Sequence, residues 1–193
     1  HRFEHTMRSI APVTPVFSDV GPDIRWLGNE NGFAGKTNWN LLDTAGFSRG
    51  SGSPSTDTLN AGNMNGKNWI PAECDVSIRP GWFYHASEDD KVKSPGALFD
   101  LYLKSVGRGA TLLLNVPPDR RGLITENDSV SLIGFRKLRE ENFKKNLCSY
   151  AVAKVVPGNN LKTSKFLNDN NANTFVEIKD IQKENIKIHF KKP

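Results

Sequence analysis

Two stretches of the chain concentrate the side chains that can do chemistry. DVGPDIRWLGNENGFAGKTNW, residues 19–39, and WIPAECDVSIRPGWFYH, residues 69–85, hold all four tryptophans: Trp26, Trp39, Trp69 and Trp82. They also carry Arg25, Arg79, His85 and the carboxylates Asp19, Asp23, Glu30, Glu73 and Asp75. Indole faces stack on the C–H faces of a sugar, whose hydroxyls need donors and acceptors. Cleaving a glycosidic bond takes two carboxyl groups across it, one of them a proton donor. A plainer account also fits. Tryptophans in an α/β protein are usually core, Asp19 and Asp23 flank the turn-forming Gly21-Pro22, Asp75 could pair with Arg79, and His85 could be a solvated loop residue. Composition does not tell a catalytic glutamate from a structural one, so spacing alone leaves both accounts open.

The elements that must position these residues follow a βα rhythm. HRFEHTMRSIAP opens as a helix with Phe3, Met7 and Ile10 on one apolar face. Pro12 ends it, and Val13–Asp19 reads as a short strand. Residues 20–68 show little regular pattern and read as a long loop, a feature that is often functional. PAECDVSI (71–78) is the second strand. Ser94 caps a helix with Pro95 in its first turn, Leu98, Leu101 and Tyr102 mark its buried face, and Gly107 ends it. ATLLLNV (110–116) lacks alternation, as expected of a parallel strand covered on both sides. A long helix from about Glu126 to Asn146 turns Leu132, Phe135 and Leu138 inward. The unusual residues cluster after strand C-termini, where α/β barrels keep their active sites. Three strands cannot close a barrel, so an α/β fold forming its C-terminal half is expected.

Near Leu147 the composition shifts. TFVEIK and NIKIHFKK alternate, the latter with Ile186, Ile188 and Phe190 opposite Lys187, His189 and Lys191, as in a half-buried antiparallel strand. The expected division is residues 1–147, part of a barrel, and 148–193, the start of a β-sandwich.

The chain has 193 residues, with 24% charged and 37% hydrophobic, an ordinary globular balance. No apolar run approaches the roughly 20 residues of a membrane helix. The net charge of +5 raises the possibility of nucleic acid, but the lysines gather near the C-terminus on strand-like segments and no nucleic-acid motif accompanies them. Cys74 and Cys148 have no metal-binding spacing; Cys74 reads as a small core residue. No metal and no cofactor are expected. His1 is not a methionine and the opening helix has no cap before it, so the chain reads as a piece whose N-terminal part is missing.

FSDVGPDIRWLGNENGFAGKTNW, PAECDVSIRPGWFYH and SVGRGATLLLNVPPDRRGLITEND resemble the signature segments of the α-L-fucosidases of glycoside hydrolase family 29. The likeness runs from about Phe3 to Leu147, roughly three quarters of the chain, and leans toward the branch acting on α-1,3/4-linked fucose, which carries a W-x-G-N-E loop. It implies an irregular (β/α)8-like barrel followed by a β-sandwich, and a retaining mechanism. The family's nucleophile is an aspartate in a W-F-D-G-like strand end, and no W-x-D-G occurs here. Its acid/base glutamate maps onto Glu30. Beside Trp26 in a partly apolar loop, Glu30 would keep its proton near neutral pH because desolvation disfavours the carboxylate. Gly28 and Gly32 would let the loop pass close to substrate. Glu73 is the rival acid/base, expected instead to shape the pocket by hydrogen bonding.

By the same resemblance Trp26, Glu73, Arg79 and Trp82 line the fucose pocket. Trp82 would cover the C5 methyl group, and Arg79 would donate to a hydroxyl or orient a carboxylate. The C-terminal piece is similar to galactose-binding-like sandwiches that often follow this barrel. The implied partner is a fucosylated oligosaccharide or glycoprotein glycan, with no nucleic acid and no membrane span. The implied location is extracellular or periplasmic. A carbohydrate-binding protein of the same fold that has lost catalysis is the alternative.

Overall fold

The six residues AECDVS alternate small apolar and polar side chains, so a strand made of them has two different faces. In the computed structural model they form β5 (Ala72–Ser77), with Ala72, Cys74 and Val76 buried. The structure describes residues 2–48, 52–157, 165–171, 173–178, 183 and 185–190, and the chain divides into two compact units, residues 1–139 and 140–193.

The first unit holds a four-stranded sheet in the order β1 (Phe17–Ser18), β2 (Ile24–Trp26), β5, β6 (Thr111–Asn115), every neighbour parallel. Parallel register sets Trp26 beside Glu73, and Glu73, Asp75 and Ser77 beside Thr111, Leu113 and Asn115. One face therefore carries Trp26, Glu73, Asp75, Ser77 and Asn115. On the other, Leu27, Ala72 and Cys74 join Ala34 and Ala110, while Val76 and Ile78 pack with Leu98 and Leu101 of α3 (Pro95–Ser105). Ser94 Oγ accepts the Ala97 N–H and caps α3 beside Pro95. The left-handed residue that closes the region is Gly109, φ 84°, not Gly107, which lies in a 3-10 turn. α4 runs Glu126–Phe143, and its Leu132 and Phe135 cover the second core cluster.

The region expected to be one long loop is more ordered than its composition suggests. It contains β2, an antiparallel ribbon of β3 (Leu41–Leu42) and β4 (Asn68–Trp69), and α2 (Thr56–Ala61). Its organiser is Arg25, wholly buried on β2 with no carboxylate partner among the described residues. The Arg25 guanidinium donates to the carbonyls of Leu59, Ile70 and Trp39 and to Asn38 Oδ1. Desolvation lowers its pKa to about 10, so it stays charged at neutral pH. These segments are too short to show periodicity, and a buried cation holds them. Part of the glycine-serine stretch, residues 49–51, lies outside the described residues.

α1 (Arg2–Ile10) forms where expected, but its apolar face is largely open, with Phe3 85% and Ile10 80% exposed and Met7 half-buried. Arg8 fastens the helix through Asp23 and the carbonyls of Pro12 and Thr14. β6 is not covered on both sides: it is the sheet's edge strand among the described residues, and Leu113 is half exposed.

In the second unit β7 (Ala151–Val156) pairs antiparallel with β8 (Asn185–Phe190). β8 was expected to be half-buried, yet Ile186, Ile188 and Phe190 are exposed because no layer covers that face among the described residues. Residues 174–178 of TFVEIK make no ladder, and Lys179 and Lys191 lie outside the described residues.

Candidate functional site

Trp26 ends β2 and its side chain crosses to β5, where Nε1–H donates to Asp75 Oδ1 at 2.8 Å. Asp75 thus pairs with an indole rather than with Arg79. Glu73 lies two residues before Asp75 on the same face. Burial, and then the charge of Asp75, hold its carboxyl above the usual glutamate range. Further along that face, Ser77 Oγ donates to the Gly81 carbonyl at 2.7 Å, and Asn115 Nδ2 donates to both Ser77 Oγ and the Trp82 carbonyl, each at 3.0 Å. These bonds tie the loop leaving β5 to the C-terminal end of β6. Ser77 and Asn115 were not singled out from the sequence; the polar period of two in AECDVS was the signal for Ser77.

At that end of the sheet the loops leaving β2 and β5 meet. Trp82 Nε1–H donates to Glu30 Oε2 at 3.0 Å across 52 residues of sequence. The indole bonded to Glu30 is therefore that of Trp82, while that of Trp26 is bonded to Asp75. Glu30 is exposed, so burial does not supply the expected desolvation. It borders a cavity of about 410 Å³ shared with Phe33, Pro80 and Lys93, whose Nζ donates to the Ser77 carbonyl. Gly28 (φ 89°) and Gly32 (φ 74°) do adopt left-handed backbone. Their close approaches, however, are to the protein: a Cβ on Gly28 would meet the Thr56 backbone at 3.2 Å, and one on Gly32 would meet Val76 at 2.8 Å and Leu101 at 2.9 Å. The loop is glycine-rich because it must lie flat on α2 and α3.

Arg79 turns into the fold. It is buried, with Nε donating to both oxygens of Asp128 at 3.1 Å and Nη2 donating to Asp89 and Thr125. A chain with its donors so committed inside the fold has no reach to a substrate hydroxyl. Thr125 Oγ1 accepts the Asp128 N–H and caps α4, so this hub locks the start of α4 to the loop leaving β5. The Arg79 Nη1 bond to the His85 carbonyl and the guanidinium 4.9 Å from the Tyr84 ring centre extend that hold. None of the four tryptophans is buried: Trp26 and Trp82 are half-buried, and Trp39 and Trp69 exposed, so the plain core account fails for them.

The structure thus gathers Trp26, Glu73 and Asp75 on the sheet face and Glu30 with Trp82 at the strand exits, joined through Ser77 and Asn115. Residues 43–137 match the model of the family described as Alpha-L-fucosidase. Curated relatives and solved structures support the same family. Alpha-L-fucosidase 1 of Arabidopsis thaliana is 45% identical over 145 residues, covering 75% of this chain and 28% of its own length. The structure of a glycoside hydrolase 29 family member from an unknown rumen bacterium superposes with a TM-score of 0.71 at 42% identity, over 79% of this chain and 27% of that one. A GH29 fucosidase of Ruminococcus gnavus, solved in complex with fucose, gives 0.56 at 33% identity over 69% of this chain and 27% of that one. The chain thus spans just over a quarter of the length of these relatives. This likeness agrees with the parallel α/β architecture. No helix among the described residues is long and apolar enough to cross a membrane.

Proposed function

We propose that the chain carries the acid/base side of the active site of a retaining α-L-fucosidase acting on terminal α-1,3/4-linked L-fucose. The observation that carries this reading is the Trp82–Glu30 hydrogen bond, which holds a carboxyl group in place where the loops of two adjacent parallel strands converge. With Oε2 accepting from the indole, Oε1 is left to carry the proton. Glu30 delivers that proton to the departing glycosidic oxygen, then removes one from the water that cleaves the fucosyl-enzyme.

A raised carboxyl pKa suits a proton donor and by itself points to Glu73. Position favours Glu30. Glu73 lies at the start of β5, inside the sheet, whereas Glu30 stands in a strand-exit loop, where barrel enzymes do their chemistry. Glu73 and Trp26 form the floor below it, and Trp82 offers the apolar face suited to the fucose methyl group. The partner nucleophile, an aspartate, belongs to polypeptide outside these 193 residues, as do the strands that complete a (β/α)8-like barrel. The 193 residues by themselves are then inactive. The barrel part extends to about residue 147, the β7–β8 pair begins a sandwich, and a glycan substrate puts the enzyme outside the cell or in the periplasm.

The test uses the complete enzyme. NMR of the first-formed sugar should show α-L-fucose, and kcat/KM should be far higher on a Lewis-type trisaccharide than on 2′-fucosyllactose or an aryl fucoside. β-L-Fucose as first product would refute retention, and preference for the 1,2-linkage would refute the branch assignment.

A further inference from the structure

A second cavity, of about 550 Å³, opens between the loop leaving β5 and the loop leaving β6. Tyr84, His85 and Ser87 form one wall, and Asp119, Arg120 and Arg121 the other. The volume is in the range of small-molecule sites. Tyr84 is two residues beyond Trp82, so the same loop supplies a wall of this cavity and the indole that holds Glu30.

Its charges are not equivalent. Arg121 Nε donates to Asp119 Oδ2 at 2.8 Å, and Asp119 Oδ1 accepts the N–H groups of Arg121 and Leu123. Asp119 is therefore neutralised and holds the loop in shape, helped by the Asp119–Leu123 and Gly122–Asp119 backbone bonds. Arg120, between them, makes no hydrogen bond or ion pair among the described residues, and neither does the His85 imidazole. The opposite wall is fixed from behind, since the buried Arg79 grips the His85 carbonyl and lies against the Tyr84 ring. Two braced walls thus present one uncommitted guanidinium, an imidazole, a phenol and a hydroxyl, while the only carboxylate of the lining among the described residues is spent on its neighbour.

From this we infer that the cavity is a subsite for an anionic oxygen group, a sulfate ester or a carboxylate, on the glycan that bears the fucose. Arg120 grips the anion in the forked geometry a guanidinium offers to such groups, with His85, Tyr84 and Ser87 as additional donors. The inference rests on the fucosidase reading for its substrate, not for its anion.

The test compares the complete enzyme with its Arg120→Ala and Arg120→Lys variants on three fucosylated trisaccharides: neutral, sulfated on galactose, and carrying a sialic acid on galactose. The wild type should favour at least one charged form, and Arg120→Ala should lower that charged-to-neutral kcat/KM ratio about ten- to a hundredfold, as expected for a charge-assisted hydrogen bond. Arg120→Lys should retain part of the preference. Which charged form responds tells sulfate from carboxylate. An unchanged ratio would overturn the proposal. Calorimetry with galactose 3-sulfate and with free sialic acid, each against galactose, supplies an arm independent of turnover. At least one anion should bind the wild type more tightly than galactose and lose that advantage in Arg120→Ala. No such advantage for either anion would overturn the subsite, whereas absence of turnover on every fucoside would overturn only the fucosidase reading.

Discussion

The Arg79 guanidinium and the Asp128 carboxylate face each other entirely out of water, with Nε 3.1 Å from both carboxylate oxygens. Such a pair contributes less by its own attraction than by the cost of leaving either member alone. Arg79→Met should therefore destabilise the complete protein by about 3–5 kcal/mol, read as a lowered denaturant midpoint. Arg79→Lys should fail to restore it, because an ammonium cannot span Asp128, Asp89 and Thr125 together. A wild-type midpoint in Arg79→Met would show that the hub is not structural.

Replacing Glu30 by alanine should slow fucosyl-enzyme formation on natural glycans by roughly 10²–10⁴-fold, the usual contribution of a positioned general acid. An activated aryl fucoside should suffer much less in that step, since its aryloxide leaves without a proton. Azide needs no general base, so it should restore turnover of the aryl substrate and yield the α-fucosyl azide, two inversions returning the starting configuration. Rescue seen in Glu73→Ala and not in Glu30→Ala would exchange the two roles.

Trp82→Phe keeps the aromatic face and removes only the N–H that steadies Glu30. The pair is accessible to solvent, so kcat on a poor leaving group should fall modestly, by ~3–10-fold, with a smaller change on an activated one. Equal losses on both substrates would mean that Trp82 acts through sugar binding alone.

Glu73 gives a pH signature. Its folded-state pKa is raised, so its contribution to stability is fully present below the unfolded value near 4.5 and is lost as pH rises through the folded value. Glu73→Gln mimics the protonated form. The melting temperature of the variant should match the wild type at low pH and exceed it increasingly above pH 4.5. A difference that does not vary between pH 4 and 8 would contradict the shift.

The two thiols should behave differently. Cys74 is buried within β5, and burial together with the Asp75 and Glu73 charges pushes its pKa up to about 12. Cys148 is exposed. Brief native alkylation followed by peptide mapping should label Cys148 and spare Cys74 until the protein is unfolded. Early labelling of Cys74 would show that this part of the sheet opens readily.

Much of this protein was legible before any coordinates. Ser94-Pro95, the apolar row Leu98 and Leu101, and the run ATLLLNV announced α3 and β6 because capping chemistry and hydrophobic periodicity are local. RWLGNENG stood out through its own composition. The sequence did not show that Arg25 would be buried to gather residues 38–70, or that Arg79 would turn inward to Asp128, 49 residues away. A guanidinium reads the same whether it waits for a substrate or neutralises a buried carboxylate, and only the packing of α4 against the loop leaving β5 decides. Glu30 likewise meets a residue far along the chain: its carboxyl group accepts from Trp82, 52 residues on, while Trp26, which precedes it closely in sequence, donates to Asp75 on β5. Residue types carried the chemistry in one dimension; which of them meet was set by strand register and by which charges the fold could bury with a partner.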